Sequence, residues 1–515
     1  MAQTVNIIAT RHPSRRTAAR WVAVTASALL LLCAFPPISL DFMAWVALVP
    51  FYLVWRSRSR PIQAYGWGYL FGLFFFGGLT YWIGLTVTAW SQSPVGWVAW
   101  ALLAIVEANW FGFFSALAFW LAKACNGLRP PLVFVCIWIM TEWLRTQGTY
   151  GLPWGLIGST QYLHPILIQP ADLAGIYSIS FLVVLVNVTV AEYLLAKSLR
   201  NPLIWISSAV ILIAVGGEIL RLASPAIGVP FRVAIMQGNF RNWLVSWQDV
   251  QRETKRIARM TYSVQNQHPN LILWSESAAP GDAINNNDVH QLFATLARHA
   301  HTDILVGSRY RNPDNGRQTN SAVLFNSNGQ IAGRYDKEQI VPFGEFIPFR
   351  AYMPFGNIFH FFKTDLTPGQ SAAPLLDPPA RLGVVICFES TFPRLARARV
   401  KAGANVLISM TNDSWSGSIG EPEQHLALSI FRAVENDRDM LHASTGGRSA
   451  CVDAEGRIVA QTGYFKPATL LVTARLHDGE TIYSRFGNWF VLLCGLYILC
   501  LVISSIQRPA RHATN

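Results

Sequence analysis

Residues 21–220 are almost entirely apolar and aromatic, and a run of that length cannot be buried inside one water-soluble core. It divides into seven stretches, each long enough to cross or enter a bilayer: about 21–35, 40–55, 64–90, 95–122, 130–146, 170–196 and 203–220. An eighth, 487–506 (GNWFVLLCGLYILCLVISSI), lies near the C-terminus. Between them, 230–480 has the charges, turns and alternating patterns of an ordinary globular domain. The chain as a whole, 515 residues with 52% hydrophobic and only 14% charged, therefore reads as a membrane domain followed by a soluble one.

The net charge of +12 suggests a nucleic-acid partner until its placement is examined. Arg11, Arg15, Arg16 and Arg20 precede the first apolar run, and Arg56, Arg58 and Arg60 follow the second. Lys123 and Arg129 follow the fourth, Lys197 and Arg200 the sixth, and Arg508 and Arg511 the last. The intervening loops 36–41 and 91–94 carry no Lys or Arg, and 145–164 has one at its edge. Basic residues on alternate loops are a topology signal, so no nucleic acid is expected. Segments 1–20 and 507–515 are then cytoplasmic, 21–220 is a seven-helix domain, 221–486 an extracytoplasmic domain and 487–506 the eighth span. A signal peptide is the competing reading of the N-terminus, but the hydrophobic spans keep coming. Glu107, Glu142, Asp172, Glu192 and Glu218 lie within or at the ends of spans, where a satisfied interhelical hydrogen bond is the expected role.

From 230 onward strands and helices alternate, the pattern of an α/β fold. Strands are expected at 232–236, 271–274, 303–307, 322–326, 330–335, 382–386 and 405–410, with helices at 247–267, 289–301, 391–401 and within 424–437. Ser327-Asn328-Gly329 marks a hairpin. The segment 381–390 (RLGVVICFES) places Cys387 between a strand and a helix that Thr391 would cap. Unpaired N–H groups and the helix dipole there favour thiolate, although a core cysteine is the plainer reading. Glu276 follows a strand in WSES, and Lys337 follows the hairpin in YDKEQIVPFGEF. A thiol, a carboxylate and an ammonium at three strand ends supply a nucleophile, a base and an oxyanion stabiliser if they meet. Only Cys387 and Cys451 fall in the soluble part, and no metal-ligand or disulfide spacing is present, so neither metal nor cofactor is expected.

The order Glu276, Lys337, Cys387, in the contexts WSESAAP, YDKEQIVPFGE and ICFES, resembles the carbon–nitrogen hydrolase (nitrilase) superfamily. Together with GWGYLFGLFFFGGLTYWIG, GLPWGLIGSTQ, PADLAGIYSISF, MQGNF and NDSW, it resembles that superfamily's membrane branch, the bacterial apolipoprotein N-acyltransferases. The resemblance implies a four-layer αββα domain on an eight-helix base in the cytoplasmic membrane, facing the periplasm. It implies Cys387 as nucleophile, Glu276 as general base and Lys337 as the cation facing the oxyanion. Glu345 and Glu389 match supporting positions, and Trp247 a tryptophan near the acyl-donor pocket. The implied reaction moves an acyl chain from a phospholipid, through a Cys387 thioester, to the amine of a diacylglyceryl-cysteine lipoprotein. The aromatic run 343–362 reads as a lipid-facing lid, and 148–161 as an interfacial belt or lipid entrance. Three departures bear on the acceptor: Phe388 where Tyr is usual, Ser416 where Phe is usual, and HASTGGRS at 442–449 with Arg448 in an apolar position. A membrane-tethered amidase or nitrilase, a paralogue acylating another amine, and an inactive lipoprotein-binding scaffold are the competing readings.

Overall fold

A computed structural model describes residues 15–123, 129–197, 228–240, 247–352 and 365–506, with residues 208 and 216. In the soluble part it contains two six-stranded sheets. Val229–Gln237 (β1), Leu271–Trp274 (β2), Asp303–Arg311 (β3), Gln318–Phe325 (β4) and Ile331–Asp336 (β5) belong to the first sheet. Leu375–Asp377 (β6), Ala380–Ile386 (β7), Val406–Thr411 (β8), Met440–Ser444 (β9), Ala450–Val452 (β10) and Ile458–Gln461 (β11) make the second. Ala468–Leu476 (β12) returns to the first, in the order β12-β1-β2-β3-β4-β5, against β11-β10-β9-β8-β7-β6 in the second. In each sheet the central strands are parallel (β1-β2-β3 and β7-β8-β9) and the outer ones antiparallel. The parallel strands are apolar on both faces because both are covered.

Between the sheets, Val233, Ile235 and Leu273 meet Val384, Ile386, Ile408 and Leu441 in one buried cluster. Helices Trp247–Val264 and Asn287–Ala300 cover the outer face of the first sheet through Ile257, Phe293 and Ala297. Helices Pro393–Lys401 and Gly420–Asn436 cover the second. This is the αββα sandwich that the sequence led us to expect. Helix Gly420–Asn436 is buried around its whole circumference, polar residues included. Its far side packs on the membrane half, where Trp82 donates to Gln424 (3.2 Å) and Gln424 donates to the Pro36 carbonyl (3.1 Å). Glu435 likewise accepts from the Ile176 N–H (2.9 Å).

In the membrane half, Arg16–Ala34, Val95–Lys123 and Ile176–Ala196 are each long and apolar enough to span. The expected span 64–90 is a bent pair, Pro61–Leu79 and Tyr81–Ser91, turned by 52° at Thr80. The expected span 40–55 is broken into Asp41–Met43, Ala44–Ala47 and Val49–Arg56, with Pro50 opening the last piece. The sixth begins at Ile176 rather than 170, because Gly175 (φ 75°) closes a separate turn, Ala171–Ala174. The seventh, 203–220, and Glu218 lie outside the described residues. Gly68 and Gly72 leave no room for a Cβ beside Ser115 and Ala108, so helices Pro61–Leu79 and Val95–Lys123 approach closely.

Intramembrane carboxylates have local partners, as expected. Glu107 pairs with Arg145 (2.6 Å), Glu142 accepts from Trp138 and the Ile157 N–H, and Glu192 accepts from Tyr52 and Arg56. Asp172 is buried in the turn before Ile176–Ala196.

Candidate active site

Three strand ends converge on one buried pocket of charge. Glu276 lies two residues beyond β2, Lys337 directly after β5, and Cys387 directly after β7. The turn holding Glu276 lies flat on β3, where a Cβ on Gly307 would meet the Ser275 carbonyl and the Ser277 N–H at 2.5 Å. Glu276 Oε1 accepts from Asn320 Nδ2 (2.7 Å) and Oε2 from the Asn412 N–H (2.8 Å). Lys337 Nζ stands 3.7 Å from Glu276 Oε1 but 3.0 Å from Glu345 Oε1. Glu345 also accepts from Asn320 Nδ2 (2.8 Å) and the Val341 N–H (2.8 Å). Glu345 therefore carries most of the ammonium's compensation, and Glu276 keeps its proton affinity.

All four groups are buried, and burial sets their chemistry. It pushes the Glu276 carboxyl up, against Lys337, which pulls it down, while Glu345 adds to the rise. Burial also pushes Glu345 up, yet Lys337, Asn320 and the Val341 N–H leave it below the usual carboxylate range. Burial works against the Lys337 ammonium, but Glu345, Cys387 and Glu276 outweigh it and hold the charge beyond the ordinary lysine range. The Cys387 thiol is driven well above its ordinary value by burial and by Glu276, with Lys337 opposing. The expectation of a resting thiolate is thus overturned. Cys387 opens a short 3-10 turn, Cys387–Thr391, and the α-helix that follows starts only at Pro393, preceded by extended Phe392 rather than by Thr391. Thr391 Oγ1 instead donates to the Phe388 carbonyl (2.6 Å). If Cys387 is to attack as sulfur it would have to lose its proton, and Glu276 is the carboxylate beside it.

Comparison with known proteins bears on the whole chain. The profile for the apolipoprotein N-acyltransferase N-terminal domain matches residues 27–189, and that for carbon–nitrogen hydrolase matches 232–482. An apolipoprotein N-acyltransferase of Geobacter metallireducens is 32% identical, over 96% of this chain and 96% of that one. One of Methylococcus capsulatus is 31% identical, over 95% of this chain and 96% of that one. The chain belongs to the apolipoprotein N-acyltransferase family. Among solved structures, a carbon–nitrogen hydrolase from Helicobacter pylori overlays 51% of this chain and 95% of its own, at 17% identity and a TM-score of 0.39.

The departures from the family pattern each have a local partner. Phe388 stacks on Trp154 of the membrane half (5.6 Å between centroids, 17° between planes) and meets Phe392 edge-on. The residue after Cys387 is thus seated on an apolar ring, where no hydroxyl is needed. Ser416 Oγ donates to the Asp413 and Ser418 carbonyls (3.1 and 2.8 Å), closing its own turn. Arg448 stands 3.3 Å from Glu423, donates to Gln461 (3.0 Å) and lies over the Tyr464 ring.

Glu389 joins the two halves of the site. Its carboxylate accepts from the N–H groups of Ile386 (2.7 Å), Glu338 (2.7 Å) and Gln339 (3.0 Å), and from the Tyr335 hydroxyl (2.8 Å). It thereby ties the segment after Lys337 to the turn holding Cys387. The side chain of Trp247 lies outside the described residues, although Trp247 opens the helix ending at Val264. Of the expected aromatic lid, Phe349 and Tyr352 are exposed (70% and 85%), Ile347 is buried, and 353–362 lie outside the described residues. In the segment 148–161, residues 148–150 are exposed, whereas Trp154, Leu156, Ile157 and Gln161 are buried, with Trp154 stacked on Phe388. Asn320, which donates to both carboxylates, carried no signal in sequence, since an asparagine in a strand looks like any other.

Proposed function

We propose that this protein transfers a fatty acyl chain from a phospholipid to the α-amine of a diacylglyceryl-cysteine lipoprotein. The observation that carries the proposal is the match to proteins named apolipoprotein N-acyltransferase over the membrane half as well as the hydrolase-like half. A small polar amide would not require the membrane half. In the first step, Glu276 takes the Cys387 proton while sulfur attacks the phospholipid ester carbonyl. The tetrahedral oxyanion faces Lys337, and its collapse breaks the ester C–O bond, with Glu276 returning the proton to the lysophospholipid alkoxide. In the second, the lipoprotein amine attacks the thioester, gives its proton to Glu276, and the thiolate leaves and is reprotonated.

Incubation with phospholipid is expected to add one acyl mass to Cys387, and a diacylglyceryl-cysteine lipopeptide to remove it as amide. Release of the chain as free fatty acid, with the lipopeptide unchanged, would instead assign a membrane-tethered hydrolase. Because burial raises the Glu276 carboxyl, single-turnover acylation should rise with pH through a midpoint above the ordinary glutamate range. No alkaline fall should come from Lys337, whose charge Glu345 maintains beyond its ordinary range. A pH–rate profile checks both limbs.

The protein is a membrane protein, and the alternation of basic loops supports a cytoplasmic-membrane location with 221–486 outside the cytoplasm. A reporter active only outside should work when fused after Leu222 and stay silent after Arg60. The reverse pattern would remove lipoproteins from contention, because the soluble domain would face the wrong compartment.

A further inference from the structure

Behind the turn that carries Cys387 lies a second set of buried polar groups that the two-step reaction does not use. His425, on helix Gly420–Asn436, is buried, with Nε2 3.0 Å from the Cys387 carbonyl oxygen and 2.7 Å from Ser390 Oγ. Its Nδ1 faces Asp413 Oδ1 at 3.2 Å. A carbonyl oxygen only accepts, so a bond to the Cys387 carbonyl requires the hydrogen on Nε2. The surrounding hydroxyls agree: Ser390 donates to the Cys387 carbonyl (3.1 Å) and accepts from Ser429 (2.9 Å). Thr411 and Ser444 donate to Asp413 (2.6 and 2.7 Å).

Two further titratable groups face the ring. Glu421 Oε1 is 3.7 Å from Nδ1, and burial with Asp413 and Glu276 nearby pushes its carboxyl well above the usual range. The His442 ring stands edge-on at 5.4 Å and is held down to about 3 by burial and by His425. Asp413 stays below the ordinary range: burial pushes it up, but the bond to His425 and that ring's charge outweigh it.

The ligand atoms of Asp413, His425 and His442 also lie within 4.8 Å of one another. Asp413 and His425 already spend these atoms on hydrogen bonds, so a metal would have to break the network. What the network does hold is the backbone of Cys387, which sits at φ 53°, in the left-handed region that non-glycine residues adopt only at a cost.

We propose that Asp413 and His425 form a positioning pair, whose Nε2–H bond to the Cys387 carbonyl holds the nucleophile turn in its left-handed conformation and so aims the sulfur. The pair acts through the turn and not on the substrate. This rests on Cys387 being the nucleophile.

The test uses the full-length protein in detergent–phospholipid micelles. His425→Phe removes the bond and should lower the acylation rate constant on the order of 10²-fold, the usual effect of misplacing a reacting group by about 1 Å. KM for phospholipid should stay unchanged. His425→Gln, whose amide N–H can reach the same carbonyl, should recover most of the rate, and Asp413→Asn should fall between them. Acylation of His425→Phe within about threefold of wild type would overturn the proposal. So would a His425→Gln variant that melts like wild type yet acylates as slowly as Cys387→Ala, and this arm decides the matter if the phenylalanine variant does not fold. Loss of activity in EDTA that zinc restores would assign the cluster to a metal instead. If Cys387→Ala itself still acquires the acyl group, the nucleophile assignment fails, and the failure is distinguishable from these.

Discussion

Replacing Cys387 with alanine or with serine is expected to abolish the acyl adduct. The reaction needs one atom that is a nucleophile toward an ester and then a leaving group toward an amine. Sulfur does both, because a thiol of ordinary acidity is already within reach of a buried carboxylate base. Burial makes the Cys387 thiol harder to ionise than a free cysteine, which is why the proposed mechanism has Glu276 take its proton during attack. A serine hydroxyl in the same pocket starts many orders of magnitude less acidic, and the same burial acts against its alkoxide. The left-handed turn at residue 387 tolerates either replacement as well as it tolerates cysteine, so the loss is chemical. Mass spectrometry of protein extracted from membranes should show a hydroxylamine-labile acyl mass on wild type only. Cys451→Ala should change nothing, because Cys451 is buried between the sheets on β10. An acyl mass persisting on Cys387→Ala would refute the assignment.

Glu276→Gln and Lys337→Met should each slow acylation strongly, and the double variant should be little worse than the weaker single one. Removing a positioned base typically costs ~10²–10⁴-fold. Removing one oxyanion donor costs about 10²–10³-fold. In the proposed mechanism the two groups act on one transition state, and they are linked through Asn320, which donates to Glu276 and to the Glu345 that pairs with Lys337, so their losses should fall well short of multiplying. The structure adds an asymmetry. Lys337→Met leaves Glu345 buried without its ammonium, so some of that variant's loss should be stability, and its melting temperature should drop more than that of Glu276→Gln. Single-turnover rates and thermal melts of the three variants check this. Losses that multiply, or a Glu276→Gln variant that acylates normally and fails only at amine transfer, would rule out a shared base.

Much of this protein is legible one-dimensionally. β2 occupies the residues read as a strand, 271–274, because LILW is a short apolar run bounded by Pro269-Asn270 and by polar Ser275. The hairpin β4–β5 was marked by Ser327-Asn328-Gly329, and Gly329 adopts the positive φ (77°) such a turn asks for. The ends of helix Gly420–Asn436 were harder. Its first residues, GEPEQH, look like a solvated loop, yet all are buried, because the membrane half covers the face that would otherwise meet water. The bend at Thr80 and the breaks within 41–56 were hidden for the opposite reason, since hydropathy averages over a window and reports length rather than direction.

The triad shows where the division falls. Residue type and strand-end position determined Glu276, Lys337 and Cys387 as candidates, because each chemistry permits few residue types and because apolar runs stop where they do. Which carboxylate compensates Lys337, whether the thiol rests protonated, and what sits behind its carbonyl were decided only by tertiary structure. Glu345 lies at 3.0 Å and Glu276 at 3.7 Å, a difference no spacing along the chain encodes. Burial reversed the expected thiolate, and burial is a property of everything packed around Cys387, from Glu276 to the membrane half's Trp154 beneath Phe388. Electrostatic energies depend on distance and local dielectric, and both are set by contacts between residues hundreds of positions apart.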